Sequence, residues 1–141
     1  MKVKGVMTTG VECIAPDASI QDAAQKMKSL DVGPLPVCEK DRIVGFITDR
    51  DIVIRAICDG CDTTNTKVRD VMSSGVVYCF EDDDVEDAAR MMQEKQIRRL
   101  VVLDRNKQLV GLVSLGDLAV ETHDEHLSWE TLERISEPVH A

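Results

Sequence analysis

Apolar and polar positions follow two different rhythms along this chain, and the same succession of rhythms occurs twice. A short apolar stretch at residues 11–15 predicts a strand, with its counterpart at 76–80. Ile20, Ala23, Ala24 and Met27 then keep the i, i+3, i+4, i+7 spacing of an amphipathic helix over 20–30, and Val85, Ala88, Ala89 and Met92 repeat it over 85–95. Ser19 and Asp84 stand at the N-cap positions of these helices, with Asp22 and Asp87 three residues on. Two more apolar runs follow in each half, at 35–38 and 43–47 and at 100–103 and 109–113. The polar turns Lys40-Asp41 and Arg105-Asn106-Lys107 separate them, which predicts a hairpin in each half. A last helix is expected from Asp49 to about Cys58, and another from Leu115.

This is a duplication with sequence identity as well as rhythm. Val6-Met7 recurs 65 residues later as Val71-Met72, Asp22-Ala23-Ala24 as Asp87-Ala88-Ala89, and Leu35 as Leu100. One extra residue in the polar turn near Asn106-Lys107 then moves the offset to 66, pairing Val44-Gly45 with Val110-Gly111 and Asp51 with Asp117. The expected organisation is a first repeat over 1–60, a linker at 61–66, a second repeat over 67–122, and a tail at 123–141. In the tail, residues 127–135 have helical spacing. The fold class is α/β (α+β), two pseudo-symmetric β-α-β-β-α repeats. A half of this size hardly buries both faces of its sheet alone, so the halves are expected to pack sheet to sheet as a disc.

Composition narrows the function. The net charge of −9 argues against a nucleic-acid partner, which needs a basic face, but not against a small anion held by a few local cations. No apolar run approaches the roughly 20 residues that span a bilayer, and the first residues lack a secretory apolar core. Five cysteines is an odd number in a chain large enough to have a core, which favours a reducing cytoplasm over a disulfide framework.

Each copy carries Gly-apolar-apolar-Thr/Ser-x-x-Asp at a strand-to-helix junction: Gly45, Thr48 and Asp51, then Gly111, Ser114 and Asp117. On spacing alone, Thr48-x-x-Asp51 and Ser114-x-x-Asp117 are capping boxes. The glycines, set in apolar strands, mark close approach of a ligand or another backbone. A helix N-terminus also favours a phosphate. Arg98-Arg99 puts two rigid guanidinium donors at the entry to the second repeat's hairpin. The first repeat has Gly33-Pro34 there, so the two sites are expected to be unequal.

These residues, with Val6-Met7-Thr8-Thr9, Gly33-Pro34-Leu35-Pro36-Val37 and Ile97-Arg98-Arg99-Leu100-Val101-Val102, resemble the tandem cystathionine-β-synthase (CBS) domain pair, or Bateman module, over about residues 1–120. The chain looks like a stand-alone bacterial-type pair. The resemblance implies a regulatory, non-enzymatic homodimer that binds AMP, ADP, ATP or S-adenosylmethionine between repeats and acts on an unknown regulated protein. Asp51 and Asp117 would accept from the ribose hydroxyls, Thr48 and Ser114 would bond a phosphate or ribose oxygen, and Arg98 and Arg99 would meet phosphate. The base would lie against the first strand of a repeat and the segment entering its second, where Cys13 and Pro36 sit.

Other features point to rival functions. Cys58-x-x-Cys61 has metal or redox spacing without further ligands nearby. Cys13 and Cys38 lie on strands that the hairpin makes neighbours, as two buried thiols or as a pair joined under oxidation. A thiol- or metal-responsive protein working through these four cysteines is thus one alternative. A scaffold recruiting proteins through its dimer surface and the Trp129 tail is another.

Overall fold

The computed structural model describes residues 1–138. The chain is α+β and divides into two compact units, Glu12–Val76 and Met1–Val11 with Val77–Ala141. These units cut the chain differently from the repeat boundaries expected from sequence. The segment preceding each repeat is packed in the unit built around the other one. Val3 and Val6 belong to the core of the second repeat, and Val68 and Val71 to that of the first. The Val-x-x-Val spacing of both segments gives a single helical turn two apolar side chains to bury.

In the unit Glu12–Val76, α1 (Ile20–Leu30) precedes the strands β1 (Pro34–Glu39) and β2 (Arg42–Thr48), which pair antiparallel with a bulge between Val37 and Cys38. Ser19 caps α1 as its spacing predicts, its Oγ accepting from Asp22 N at 3.0 Å. The expected strand at 11–15 is reduced to one parallel bridge, Ile14 to Val37. Two backbone bonds hold it, Ile14 N to Pro36 O at 2.9 Å and Cys38 N to Ile14 O at 3.0 Å. Here Cys13 and Cys38, 25 residues apart, are joined as a disulfide, so the reading as two separate thiols does not hold.

After β2 the helix α2 (Asp49–Asp51) widens into a π-helical stretch over Ile52–Ile57, with Cys58 N bonded to Val53 O at 3.1 Å. An ordinary α-helix to Cys58 was expected. Three consecutive β-branched residues, Ile52-Val53-Ile54, are poor α-helix formers, and here the ladder departs from regular α-bonding. The short α3 (Val68–Val71) closes this unit over Ile20, Leu35, Val37 and Ile47, all fully or almost fully buried.

The other unit holds a three-stranded sheet in the order β3 (Tyr78–Phe80), β4 (Arg99–Leu103), β5 (Leu109–Ser114). β3 runs parallel to β4, and β4 antiparallel to β5. Helices α4 (Val85–Lys95), α5 (Leu115–Thr122) and α6 (Glu125–Ser136) complete it. Asp84 occupies the N-cap of α4, yet its side chain does not cap; it pairs with Lys2 at 2.9 Å, while Val85 N donates to the Met1 carbonyl. The two acids before it are also engaged, Asp82 with Arg105 and Asp83 with the Phe80 N–H. Among the described residues no helix is long and apolar enough to cross a membrane.

Burial separates the three free thiols. Cys79 is buried, and desolvation first, then the charge of Asp83, pushes its thiol from 9.0 up to about 12, whereas Cys58 is exposed and Cys61 half-buried. A thiol reagent at about pH 8 therefore labels Cys58 first and reaches Cys79 only when the unit opens, because the thiolate is the reacting species. Mass spectrometry of the labelled peptides checks this order; equal rates at Cys79 and Cys58 would contradict it.

Candidate functional site

Both signature motifs lie where a strand hands over to a helix. β2 ends on Thr48 in extended backbone and α2 begins at the next residue. Thr48 Oγ1 accepts from Asp51 N at 3.0 Å, and Asp51 Oδ2 accepts from Thr48 N at 3.0 Å. The second repeat matches it: Ser114 Oγ accepts from Asp117 N at 3.1 Å and Asp117 Oδ2 accepts from Ser114 N at 2.9 Å. The capping boxes read from spacing are present in both copies. They have a consequence for ligands. Each carboxylate spends one oxygen on the backbone and is thereby held in one orientation, with the other oxygen outside the capping box.

The two second oxygens have different neighbours. Asp51 Oδ1 lies 3.9 Å from Arg55 Nε, and Arg55 also donates to the carbonyls of Val71 and Met72 at 3.3 and 3.2 Å. At the same spacing from Asp117 the chain has Glu121, so no cation follows it on α5. Asp117 makes no ion pair among the described residues. The two carboxylates thus differ in their neighbours, and the first repeat, expected to lack the Arg98-Arg99 cations, has another cation beside Asp51. Arg55 is a cation of the first repeat that motif reading missed, although its i+4 position from Asp51 could have revealed it. Lys26 on α1 is another, its Nζ donating to the Cys13 carbonyl at 2.8 Å. Cys13 and Pro36 are themselves brought together, since Pro36 O bonds the residue after Cys13.

The glycines have a backbone explanation. A Cβ on Gly45 would sit 2.4 Å from the Ser73 carbonyl oxygen, where Phe46 and Ser73 exchange two backbone bonds of 2.9 and 2.8 Å. A Cβ on Gly111 would sit 2.6 Å from the Thr8 carbonyl oxygen, where Thr8 and Leu112 exchange 2.8 and 3.0 Å bonds. Of the two partners a strand glycine admits, it is another backbone that comes close.

Arg98 and Arg99 lead into β4, and the Arg98 carbonyl accepts from Leu115 N at 2.9 Å, which ties that junction to the start of α5. Arg98 and Arg99 line a cleft of about 750 Å³ together with Ser114 and Gly116. Asp117 follows directly on this lining, its backbone N–H bonded to Ser114 Oγ. The far wall comes from α6, whose residues the motif reading did not include. Among the described residues no group of three or more His, Cys, Asp or Glu is placed to hold a metal ion.

Comparison with known proteins places this geometry. The CBS domain family matches residues 3–56 and 68–123. The CBS domain-containing protein YhcV of Bacillus subtilis is 42% identical over 134 residues, covering 95% of this chain and 94% of that protein. The crystal structure of Hypoxic Response Protein I with two coordinated zinc ions is similar at 32% identity and a TM-score of 0.75, over 84% of this chain and 97% of that one. That of CBSX2 in complex with AMP is similar at 26% identity and a TM-score of 0.70, over 84% of this chain and 93% of that one. With two family matches, one on each copy of the duplicated motif, the chain belongs to the CBS domain family as a tandem pair.

Proposed function

We propose that this CBS pair is a regulatory module, not an enzyme, and that it senses an adenosine-containing ligand of the AMP, ADP, ATP or S-adenosylmethionine class. The observation that carries this reading is the pair of oriented carboxylates, each with one oxygen bonded to its own N-cap backbone and one left over. A carboxylate so fixed accepts from a ribose hydroxyl with no loss of side-chain freedom on binding, and each charge-assisted bond is worth about 1.5–3 kcal/mol. Membership of a family in which CBSX2 is found with AMP supports it. Thr48 and Ser114 stand beside the carboxylates, and Arg98 and Arg99 supply cations for phosphate in the second repeat only. Binding would shift the balance of conformations or the homodimer, and with it affinity for a regulated protein. In the unit Glu12–Val76 the exposed Val53, Ile54 and Ile57 beyond α2 give a homodimer apolar surface to bury.

Thermal denaturation with each nucleotide at high excess tests this. At about 100 times Kd a ligand adds roughly 2.7 kcal/mol, or several degrees of Tm. Asp51→Ala combined with Asp117→Ala should remove the response. A flat response to the whole panel defeats the sensor reading, and a response that survives the double variant defeats the residue assignment.

One observation favours a second reading. The Cys13–Cys38 disulfide pins the segment before α1 to β1, beside Pro36, so the thiol state of this pair would loosen or tighten that edge of the first repeat. A Tm that changes with a dithiol reductant and not with nucleotides would support a thiol-responsive protein instead.

A further inference from the structure

Helix α6 is held in one rotation about its axis. Leu127, Thr131 and Ile135, spaced four apart, face the core; Thr131 is fully buried and accepts from Gln93 Nε2 at 3.0 Å. Gln96 Nε2, at the end of α4, donates to the carbonyls of Arg134 and Glu137 at 3.1 and 2.8 Å. The neighbouring stripe, Glu125, Ser128, Trp129 and Leu132 at i, i+3, i+4 and i+7, is thereby turned onto the cleft that Arg98 and Arg99 line on the other side.

Three features of this cleft call for a ligand. Trp129 is 65% exposed although it lines a concavity, so its ring has an open face. Neither Arg98 nor Arg99 makes a side-chain hydrogen bond or ion pair among the described residues, whereas Arg90 and Arg105 of the same unit are paired with Asp87 and Asp82. In the first turn of α5, Leu115 N and Asp117 N have acceptors, but Gly116 N has none among the described residues. A side chain at Gly116 would meet nothing closer than Ser114 Oγ at 3.5 Å, so the wall there is open rather than packed. The volume of about 750 Å³ lies within the range of small-molecule sites, about 300–1,000 Å³.

We infer that the cleft between α5 and α6 binds a phosphorylated planar aromatic ligand, its ring stacked on Trp129 and its phosphate at Arg98, Arg99 and the Gly116 N–H. Glu125, the one acid of the cleft, and Ser128 accept from a ring amine or sugar hydroxyl. This rests on a nucleotide as the ligand, as proposed above, and adds α6 to the machinery around Ser114, the capping partner of Asp117. It makes the tail helix a direct sensor of occupancy, since a ligand bridges α6 to the β4–α5 junction.

Trp129 is the chain's single tryptophan, so its emission reports this cleft alone. The full chain is titrated with AMP and with adenosine, reading indole emission and Tm in parallel. AMP should change the emission along a saturating curve, and adenosine should need at least about tenfold more, for want of the charge-assisted phosphate contacts. Trp129→Ala should weaken AMP about tenfold by thermal shift, with Trp129→Phe restoring most of it, because any aromatic face stacks a base. The exposed position keeps either variant folded. A Tm that rises with AMP while emission stays flat, or an unweakened Trp129→Ala, overturns the α6 site and leaves the carboxylate reading standing. Emission that follows protein concentration rather than AMP also overturns it, by showing that a second copy covers the indole. A flat response in both readouts removes both proposals.

Discussion

Gly45→Ala is expected to destabilise the unit Glu12–Val76 by about 3–5 kcal/mol. The added methyl would lie 2.4 Å from the Ser73 carbonyl oxygen and 3.3 Å from Met72 Sδ. A flexible thioether moves aside cheaply, but a carbonyl fixed between two backbone hydrogen bonds does not. Forcing an extra carbon into packed surroundings costs about 1–3 kcal/mol, and disturbing the 2.9 and 2.8 Å bonds between Phe46 and Ser73 adds about 1 kcal/mol each. Gly111→Ala should follow with a smaller loss, since its contact with the Thr8 carbonyl oxygen is 2.6 Å and the other close atoms belong to the flexible Met7. Urea unfolding of both variants measures this. A loss below about 1 kcal/mol for Gly45→Ala, together with weakened nucleotide binding, would mean that a ligand and not the backbone excludes the side chain.

The second large effect is expected at Leu118→Ala, a loss of about 3 kcal/mol. Leu118 is the fully buried residue of α5, in a core with Val3, Val6, Ala88, Leu100 and Val113. Truncation leaves a cavity that a close-packed interior fills only partly, a change that typically costs 2–5 kcal/mol. Because α5 carries Ser114 and Gly116 at its start, weakened anchoring should also loosen the cleft that α6 completes. Val120→Ala on the same helix is the control, since Val120 is exposed and its loss should stay within about 0.5 kcal/mol. Equal losses at the two positions would mean that α5 is not anchored through Leu118.

Much of this molecule was legible along the chain, and the legible parts share a cause. The bounds of α1 and α4 follow from the spacing of Ile20, Ala23 and Met27 and of Val85, Ala88 and Met92, because one face of each helix must be buried whatever covers it. The hairpins follow from apolar runs broken by polar turns, and both capping boxes from a three-residue spacing, which is a purely local geometry. The strand at 11–15 was not legible in the same way. A strand exists by virtue of its partner, and only Ile14 finds a register on β1. The Asp84 cap failed for a similar reason, since Lys2, distant in sequence, offers its carboxylate a charged partner.

The sequence by itself determined the duplication, the class of elements and the paired Thr/Ser and Asp residues, because those depend on spacing within a few residues and on what a side chain can bond nearby. Only the tertiary structure decided which unit the segments at Val3–Gly5 and Val68–Val71 would join, that backbone contact fills the space over Gly45 and Gly111, that Arg55 faces Asp51, and that α6 turns Trp129 toward Arg98 and Arg99. Each of these is a meeting of atoms far apart along the chain. Hydrophobic burial drives such segments together without regard to sequence distance, so a local pattern announces the apolar face but not the surface that will cover it.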